Sequence, residues 1–256
     1  MTSAVRGIIS RPYLQPLWES LLKLCHAGMN CGGGQWVGDS GEIGALRWAT
    51  RKSMVSDRFV LFDVGANDGA YLDAAHAVIG ERLLAYSFEP QAASFCTLQE
   101  RFPSCHWTTL SNVALGKEEG SAVLYSRSEG DTMASLLSGT VVSGEKPEVV
   151  SVTTLDHFCK AVGITKIDFL KIDTEGYELQ VLLGAEDMLN SDGIAAIQFE
   201  FGDHYNRTDQ HFIDFWDLLR PKYKIYRILR HGVFELQRYT TDLEIYKTTN
   251  YLCLLK

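Results

Sequence analysis

The residues most suited to chemistry lie in one short stretch, FVLFDVGANDGAY, which begins at Phe59. A continuous apolar run there ends at the acid Asp63, and the glycines Gly65 and Gly69 follow with a small polar pair between them. This pattern predicts a buried strand that enters a tight turn at the start of a helix. Such a turn places free backbone N–H groups beside a carboxylate, which suits a ligand with both a carboxylate and an ammonium group.

The glycine spacing separates two classes of nucleotide ligand. A dinucleotide-binding turn has the pattern GxGxxG, because its central glycine lets the backbone approach a pyrophosphate. Here the turn reads GANDG, so the central glycine is missing, and Asp63 and Asp68 add two carboxylates that would repel a pyrophosphate. The sequence therefore favours a cationic ligand such as S-adenosylmethionine, which carries an ammonium and a sulfonium but no phosphate.

More polar side chains follow the other predicted strands, at the edge where open parallel sheets bind their ligands. Glu89 lies 24 residues after Gly65, and an acid at about this spacing accepts hydrogen bonds from ribose hydroxyls. Asn112 follows the third strand and suits an adenine edge, although an ordinary turn residue explains it nearly as well. The fourth and fifth strands end in KIDTEGYE and QFEFGDHY, which deliver Asp173, Glu175, Glu178, Glu200, Asp203 and His204.

An alternation of strands and helices positions these side chains. Apolar runs predict strands at 59–63, 83–88, 106–111, 167–172 and 195–201. Helical periodicity predicts helices around 69–79, 91–101, 155–162, 176–190 and 209–219. Strand-like runs at Tyr223–Leu229, Val233–Tyr239 and Tyr251–Leu255 predict antiparallel strands added to one edge. The pattern is that of βαβ units, so we expect an α/β fold with helices on both faces of a mostly parallel sheet.

Two segments lie outside this alternation. Residues 1–58 have helical periodicity over Tyr13–Met29 and over Asp39–Lys52, where Asp39 and Glu42 resemble a capping box. Because the first helix has few basic residues, we expect this segment to cover the main domain rather than to lie on a membrane. Residues 117–154 predict a β-hairpin insertion with a long loop, which is either a substrate-binding element or a plain surface loop.

The segments DVGANDG, SFEP, SNVALG, TTLD and DFLKIDTEGYE together resemble the signature segments of FkbM-type methyltransferases, over roughly residues 40–256. The resemblance implies a class I S-adenosylmethionine-dependent enzyme that acts on hydroxyl groups. It implies a Rossmann-like, seven-stranded, mostly parallel sheet with an antiparallel strand at the C-terminal edge, in a methyltransferase domain at 59–256. It also implies cofactor contacts from Gly65, Asn67, Gly69 and Glu89. To these we add Asp63, Ala66, Pro90, Asn112 and Asp173 as candidate cofactor-binding residues.

Methyl transfer to a hydroxyl needs an aligned acceptor oxygen and a base. Asp173, Glu200 and His204 are the candidate catalytic residues, because each follows a strand that ends at the cofactor edge. His204 is the preferred base because the unperturbed pKa of histidine lies near neutrality, and Glu200 or Asp203 would orient it. Asp173 would hold either the cofactor's ammonium or the acceptor hydroxyl. The alternatives are, for His204, a loop histidine without a chemical role and, for Glu175 and Glu178, acids that complement a helix dipole.

Composition limits the remaining function classes. The 256 residues are 46% hydrophobic with a net charge of −8, which argues against generic nucleic-acid binding. The six cysteines form no CxxC pair, so we expect reduced thiols of a cytoplasmic protein, and we assign no metal ligand. Acids from several strand ends could still gather around one ion. No apolar run reaches the roughly 18 residues of a membrane span, and no secretory leader is apparent.

We therefore expect a cytoplasmic O-methyltransferase with S-adenosyl-L-methionine as its cofactor. Its acceptor would be a hydroxyl on a sugar, a glycan precursor or a secondary metabolite, and a homodimer is compatible with the sequence. A nicotinamide-dependent oxidoreductase and a non-catalytic cofactor-binding scaffold are the alternatives. The missing glycine argues against the oxidoreductase, and the complete set of loop residues argues against the scaffold.

Overall fold

A computed structural model describes residues 3–33, 38–52, 57–126, 136 and 146–256. Its strands are β1 (Phe59–Val64), β2 (Leu83–Phe88), β3 (Thr108–Ser111), β4 (Ala114–Leu115), β5 (Gly120–Ser126), β6 (Lys146–Thr153), β7 (Phe169–Ile172), β8 (Ala196–Phe201), β9 (Tyr223–Leu229), β10 (Gly232–Glu235) and β11 (Thr249–Leu255). Its helices are α1 (Ser3–Ile9), α2 (Gln15–Gly28), α3 (Glu42–Lys52), α4 (Ala70–Ile79), α5 (Ala92–Arg101), α6 (Leu155–Val162), α7 (Glu178–Leu183), α8 (Glu186–Asn190) and α9 (Phe212–Leu219).

The main sheet confirms the expected α/β fold. Its strand order is β10-β9-β11-β8-β7-β1-β2-β3, and the strands from β8 to β3 in this order run parallel. The chain runs outward from β1 to β2 and β3 and then returns to β7 on the other side of β1. This reversal creates a crevice at the carboxyl ends of β1 and β7, where sheets of this kind bind ligands.

Continuous apolar strands arise because both faces of this sheet are buried. Leu61 on β1 pairs with Phe169 on β7, and both belong to the core on one face. The next pair, Phe62 and Leu170, belongs to the core on the opposite face. The residues of these two strands are apolar except for Asp63 and Lys171, which form an ion pair. This composition is expected for parallel strands covered on both faces.

The C-terminal strand differs from the prediction in its position. β11 pairs antiparallel with both β8 and β9, so it lies inside the sheet and not at its edge. Its nearly continuous burial, with Tyr251 and Cys253 fully enclosed, is satisfied only by neighbours on both sides. The β9–β10 hairpin, which turns at the predicted position, supplies the edge and raises the number of strands from seven to eight.

The predicted hairpin insertion is present. β5 and β6 pair antiparallel, and β4 joins them as a parallel neighbour of β6 to form a small second sheet. Most of the loop between β5 and β6 lies outside the described residues. A substrate-binding role for this loop therefore stays a prediction. Leu136 is its one described residue.

The two halves of the N-terminal segment differ. In α3, Ala45, Leu46 and Ala49 are buried, so this helix covers the sheet as expected. The expected packing of α2 was wrong, since this helix has no buried residue. The α3 cap also differs from the prediction, because the Glu42 N–H donates to the hydroxyl of Ser40, while Asp39 pairs with an arginine. Among the described residues, no helix is long and apolar enough to cross a bilayer.

Candidate active site

Two glycines with left-handed backbones shape the loop after β1. At Gly65, with φ of 79°, a Cβ atom would overlap the carbonyl oxygen of Asp173. At Gly69, with φ of 80°, a Cβ atom would overlap the ring of Phe102 and a methyl group of Leu98. Both positions need glycine for conformation and for space, and together they let the loop lie tightly against β7 and α5.

The backbone N–H groups of this loop are already bonded within the protein. Gly65 and Ala66 both donate to the last carbonyl of β2 at 3.0 Å, and Gly69 donates to Ala66 at 2.8 Å. The N–H of Asn67 donates to the Glu89 carboxylate at 2.8 Å. The expectation of free N–H groups was therefore wrong at these four positions, because the loop curls back to close β1 against β2. These four N–H groups are therefore not available to a phosphate, which agrees with the missing dinucleotide motif.

Glu89, at the end of β2, is buried, and its carboxylate both supports the loops around it and borders the cleft. Its two carboxylate oxygens accept hydrogen bonds from the N–H groups of Asn67 and Gln91 at 2.8 and 2.9 Å. Burial raises the pKa of Glu89 to about 7, although these hydrogen bonds oppose the shift. The Asn112 amide donates to the carbonyls of Glu89 and Pro90, so Asn112 fixes the backbone here. A carboxylate offers about four lone-pair sites, so Glu89 can also accept hydrogen bonds from a ligand.

A buried ion pair lies beneath the loop. Asp63 is fully enclosed, and the Lys171 ammonium lies 3.2 Å from it and 3.4 Å from Asp173. Lys171 also donates to the carbonyl of Gly65 at 3.1 Å. Burial lowers the pKa of Lys171, but the surrounding carboxylates outweigh it and raise this pKa overall. Asp63 therefore supports the loop from below and is enclosed away from the cleft.

The sequence analysis missed Lys171, although a signal for it exists. In the parallel pairing of β1 with β7, Asp63 lies opposite Lys171. An acid and a base near the ends of adjacent buried strands are expected to pair once that register is known. Because the register depends on how β7 returns beside β1, the signal becomes visible only after the topology has been assigned.

A cleft opens at the carboxyl ends of β1, β2 and β7. The predicted residues that line it are Gly65, Asn67, Glu89, Pro90 and Asp173. An apolar wall comes from β4, the residue before it and β5, and it includes Val113, Leu115 and Leu124. The predicted residues Asp63, Ala66, Gly69 and Asn112 lie behind this lining and shape it.

The loop after β7 is held by Glu178, which is almost fully buried. Its carboxylate accepts hydrogen bonds from the Thr174 N–H at 2.7 Å and the Gly176 N–H at 3.1 Å, and also from the hydroxyl of Tyr205. Glu178 therefore joins the β7 loop to the 3-10 turn at Asp203–Arg207. Its position in the first turn of α7 is compatible with a helix-dipole role, but these bonds show that it mainly organises the loops.

Glu175, Glu200 and His204 form one acid cluster beside the cleft. The Nε2 atom of His204 lies 2.9 Å from Glu175 Oε2, 3.3 Å from Glu200 Oε1 and 3.7 Å from Asp203 Oδ1. Burial lowers the pKa of His204, but the hydrogen bonds to Glu175 and Glu200 outweigh it and raise this pKa to about 11. Burial raises the pKa of Glu200 to about 8. The imidazole is thus a cation near neutrality, with its Nε2 proton directed at carboxylates.

The structure brings Glu200 and His204 together as predicted, and it adds Glu175 as the residue that joins them to the cleft. Asp203 lies farther away, and its side chain is 64% exposed. Residue spacing in the sequence did not identify this three-residue group, because Glu175 follows β7, whereas Glu200 lies near the end of β8 and His204 lies in the turn after it. Only the adjacency of β7 and β8 brings them together.

Comparisons with known proteins relate this chain to methyltransferases. A family model described as the methyltransferase FkbM domain matches residues 63–228. The 2-O-methyltransferase NoeI of Sinorhizobium fredii is 26% identical over 144 residues, which cover 51% of this chain and 58% of NoeI. This chain therefore spans less than two thirds of that relative.

Two solved structures are similar at low sequence identity. The methyltransferase FkbM of Methylobacillus flagellatus KT is 19% identical with a TM-score of 0.48, and the match covers 80% of this chain and 47% of that one. The O-methyltransferase of Bacillus cereus, solved in complex with SAH, is 10% identical with a TM-score of 0.47. That match covers 99% of this chain and 97% of the other.

Proposed function

This chain belongs to the FkbM methyltransferase family, and we propose that it transfers a methyl group from S-adenosyl-L-methionine to a hydroxyl oxygen. The family supports methyl transfer, and the similarity to NoeI, a 2-O-methyltransferase, supports oxygen as the acceptor atom. We propose a hydroxyl on a sugar, a glycan precursor or a secondary metabolite as the acceptor class. The reaction would take place in the cleft at the carboxyl ends of β1, β2 and β7.

The observation that carries this proposal is the charge of the cleft. Glu89 and Asp173 both line it, while the N–H groups of Gly65, Ala66, Asn67 and Gly69 are bonded internally. A site with carboxylates and few available donors favours a cationic ligand and disfavours a pyrophosphate. An ammonium and a sulfonium fit this site, which supports S-adenosylmethionine over a nicotinamide dinucleotide.

Particular residues would hold each part of this cofactor. Asp173, beside Gly65, would hold the ammonium group, and Glu89 would accept hydrogen bonds from the ribose hydroxyls. Val113 and Leu115 would pack against the adenine ring. When bound, the cofactor supplies a methyl group that is activated by the adjacent sulfonium.

The remaining predicted residues would act from behind the cleft. Asp63 would hold Lys171, which supports the carbonyl of Gly65. Asn112 would fix the backbone that carries Glu89 and Pro90. We propose these as positioning residues, because their side chains bond to the protein rather than line the cleft.

The acceptor would lie on the opposite side of the cleft. Glu175 lines the cleft and contacts His204, which in turn lies 3.3 Å from Glu200. We propose that Glu200 removes the proton of the acceptor hydroxyl, while Asp173 borders the reacting oxygen. His204 would position Glu200, because its raised pKa keeps the imidazole protonated and so unable to act as the base that the sequence favoured. Holding the oxygen in line with the methyl group is worth roughly 7–11 kcal/mol in favourable reactions, so positioning is the larger part of their task.

Equilibrium binding tests the cofactor assignment. In titration calorimetry we expect S-adenosylhomocysteine to bind and NAD not to bind. Glu89→Ala should weaken S-adenosylhomocysteine binding by about tenfold or more, since a hydrogen bond to a charged group is worth about 1.5–3 kcal/mol. Glu100→Ala, an exposed change on α5, is the matched control and should leave the affinity unchanged.

Two other outcomes would redirect the assignment. NAD binding without S-adenosylhomocysteine binding would replace this proposal with the oxidoreductase. Activity is read by mass spectrometry as products heavier by one methylene unit across a set of glycosides and hydroxylated metabolites. Cofactor binding without methylation of any member of this set would favour the scaffold.

A further inference from the structure

Three carboxylates approach one ring nitrogen beside the cleft. The Nε2 atom of His204 lies 2.9 Å from Glu175 Oε2, 3.3 Å from Glu200 Oε1 and 3.7 Å from Asp203 Oδ1. A single N–H carries one proton and makes one good hydrogen bond. The cluster therefore contains more acceptor oxygens than this proton can serve.

The same atoms have the spacing of metal ligands. One ligand atom each from Glu175, Glu200 and His204 lies within 4.8 Å of the other two. An ion with ligand bonds of about 2.0–2.2 Å separates neighbouring ligand atoms by roughly 3–3.5 Å, which agrees with the distances from Nε2 to both glutamates. Two carboxylates and one imidazole combine the preferred ligands of Mn²⁺ and of Zn²⁺.

The protein holds these ligands on a fixed frame. Glu200 is the fifth residue of β8, and His204 lies in the turn that follows. Glu178 binds both the β7 loop, through Thr174, and that turn, through Tyr205. The two loops that carry Glu175 and His204 are therefore tied to each other before any ion binds, as supported metal sites require.

We propose that Glu175, Glu200 and His204 bind one divalent metal ion, of the Mn²⁺ or Zn²⁺ type, whose open positions face the cleft. With a neutral imidazole, the two carboxylates balance the two positive charges of the ion. The ion would thus replace the proton of His204 as the positive charge beside the two carboxylates, which keeps them paired in a partly buried site.

A second step rests on the proposed methyl transfer. A metal ion lowers the pKa of a bound hydroxyl, as it does for bound water. With Glu200 occupied as a ligand, the O–H bond of the acceptor would break with loss of its proton to water instead of to Glu200. The oxygen would keep the electron pair that forms the new C–O bond as the S–CH₃ bond breaks. The ion would thus make the acceptor nucleophilic while the three ligands hold it at the cleft.

Direct titration of the full chain tests the binding site. After treatment with EDTA and dialysis, Mn²⁺ alone is titrated and the free ion is followed by electron paramagnetic resonance, and Zn²⁺ is then tested as a competitor. We expect about one ion per chain. His204→Gln and Glu200→Gln should each weaken binding by about 10- to 100-fold or more, because even indirect support of a ligand is worth that much.

A surface pair provides the matched control. His157 and Glu119 lie 3.0 Å apart with side chains more than half exposed, so Glu119→Gln should leave Mn²⁺ binding unchanged. If the buried variants fail to fold, as judged by circular dichroism, Glu175→Gln at the partly exposed ligand takes their place. Absence of binding by the wild type, or equal binding by all ligand variants, would overturn the site.

The two proposals fail in different ways. S-adenosylhomocysteine binding by the metal-free protein with no Mn²⁺ or Zn²⁺ binding would reject the metal site and keep the proposed function. Metal binding together with equal methyl-transfer rates in the metal-free and metal-loaded protein would reject the catalytic step and leave a structural ion. A rate that rises with the ion and falls in His204→Gln is the expected result.

Discussion

Two ionic clusters lie beside the cleft, and the negative charge of their carboxylates is neutralised in different ways. The lysine cluster is Asp63, Lys171 and Asp173, and the histidine cluster is Glu175, Glu200 and His204. Asp63 is matched by Lys171, which lies opposite it on the adjacent strand and is only 4% exposed. Glu175 and Glu200 share the imidazole of His204, whose positive charge depends on a single proton. The lysine cluster therefore carries a permanent cation, whereas the histidine cluster can exchange its proton for another cation.

The two clusters therefore have different roles: the lysine cluster supports the loop after β1, and the histidine cluster is placed to take part in the chemistry. The Lys171 ammonium is fully engaged by Asp63, Asp173 and the carbonyl of Gly65, so it stabilises the loop that shapes the cofactor side. The histidine cluster borders the cleft through Glu175, and carboxylate oxygens of both Glu175 and Glu200 approach the single Nε2 proton of His204. Substitutions in the lysine cluster should mainly change stability, and those in the histidine cluster should mainly change metal binding and turnover.

Lys171→Met should have the largest effect on stability. It leaves Asp63 buried without its cation, and breaking a buried pair in this way costs about 3–5 kcal/mol in the free energy of unfolding. Urea denaturation measures this loss. The double variant Asp63→Asn with Lys171→Met should recover much of it, because no buried charge at Asp63 then remains unpaired.

A surface pair calibrates that result. Arg230 and Asp39 lie 2.7 Å apart, but both side chains are 64% exposed, so Asp39→Asn should cost less than about 1 kcal/mol. A loss of less than about 1 kcal/mol for Lys171→Met as well would show that burial does not distinguish the two pairs. The contrast between the lysine and histidine clusters would then lose its energetic basis.

Glu42 should give the lysine cluster a measurable pH dependence. Burial raises its pKa from 4.5 to about 7, and Asp173 adds to the shift. The folded protein then binds more protons than the unfolded chain between these values, so this group's contribution to stability falls as pH rises through that window. Glu42→Gln does not titrate, so its unfolding free energy should fall less between about pH 5 and pH 8.

The expected difference for Glu42→Gln is at most about 3 kcal/mol, since one pKa unit corresponds to about 1.4 kcal/mol. Chemical denaturation at several pH values measures it, with the exposed Glu100→Gln as the control. Parallel profiles for the wild type and Glu42→Gln would show that Glu42 keeps the same proton affinity when the chain unfolds. The contacts with Ser40 and Gln198 would then compensate its burial.

Local sequence predicted the parts of this site that depend on short segments. The apolar run before Asp63, the two glycines after it and the acids that follow β2 and β7 are all local patterns. They correctly placed Gly65, Asn67, Glu89 and Asp173 at one cleft. The same patterns predicted the sheet, because parallel strands buried on both faces are recognisable as continuous apolar runs.

Long-range pairing limited the remaining predictions. The bonding of the Gly65 and Ala66 N–H groups depends on a carbonyl of β2, and the position of β11 depends on β9. Amphipathic periodicity likewise identified an apolar face on α2 without a partner for it. In the structure, Leu17 remains 50% exposed and Leu24 remains 67% exposed. A helical period shows that a face is apolar, but it does not show what packs against it.

Glu178→Gln should have a smaller effect on stability than Lys171→Met, and it tests the contrast between the two clusters from the side of the histidine cluster. The amide keeps one acceptor oxygen but directs an NH₂ group at donors from Thr174, Gly176 or Tyr205, so we expect a loss of about 2 kcal/mol. Because these bonds tie the two loops of the histidine cluster together, Mn²⁺ affinity should fall as well, by about 10-fold. Denaturation and metal titration of one sample measure both effects.

Glu186→Gln, in the first turn of the neighbouring helix α8, is the control for Glu178→Gln, since Glu186 is exposed and should affect neither property. A loss of stability with unchanged Mn²⁺ affinity would mean that Glu175, Glu200 and His204 hold their geometry without the link between the loops. A fall in both properties would show that one buried carboxylate outside the lysine cluster prepares the histidine cluster for a cation. The two clusters would then differ in what organises them as well as in what neutralises them.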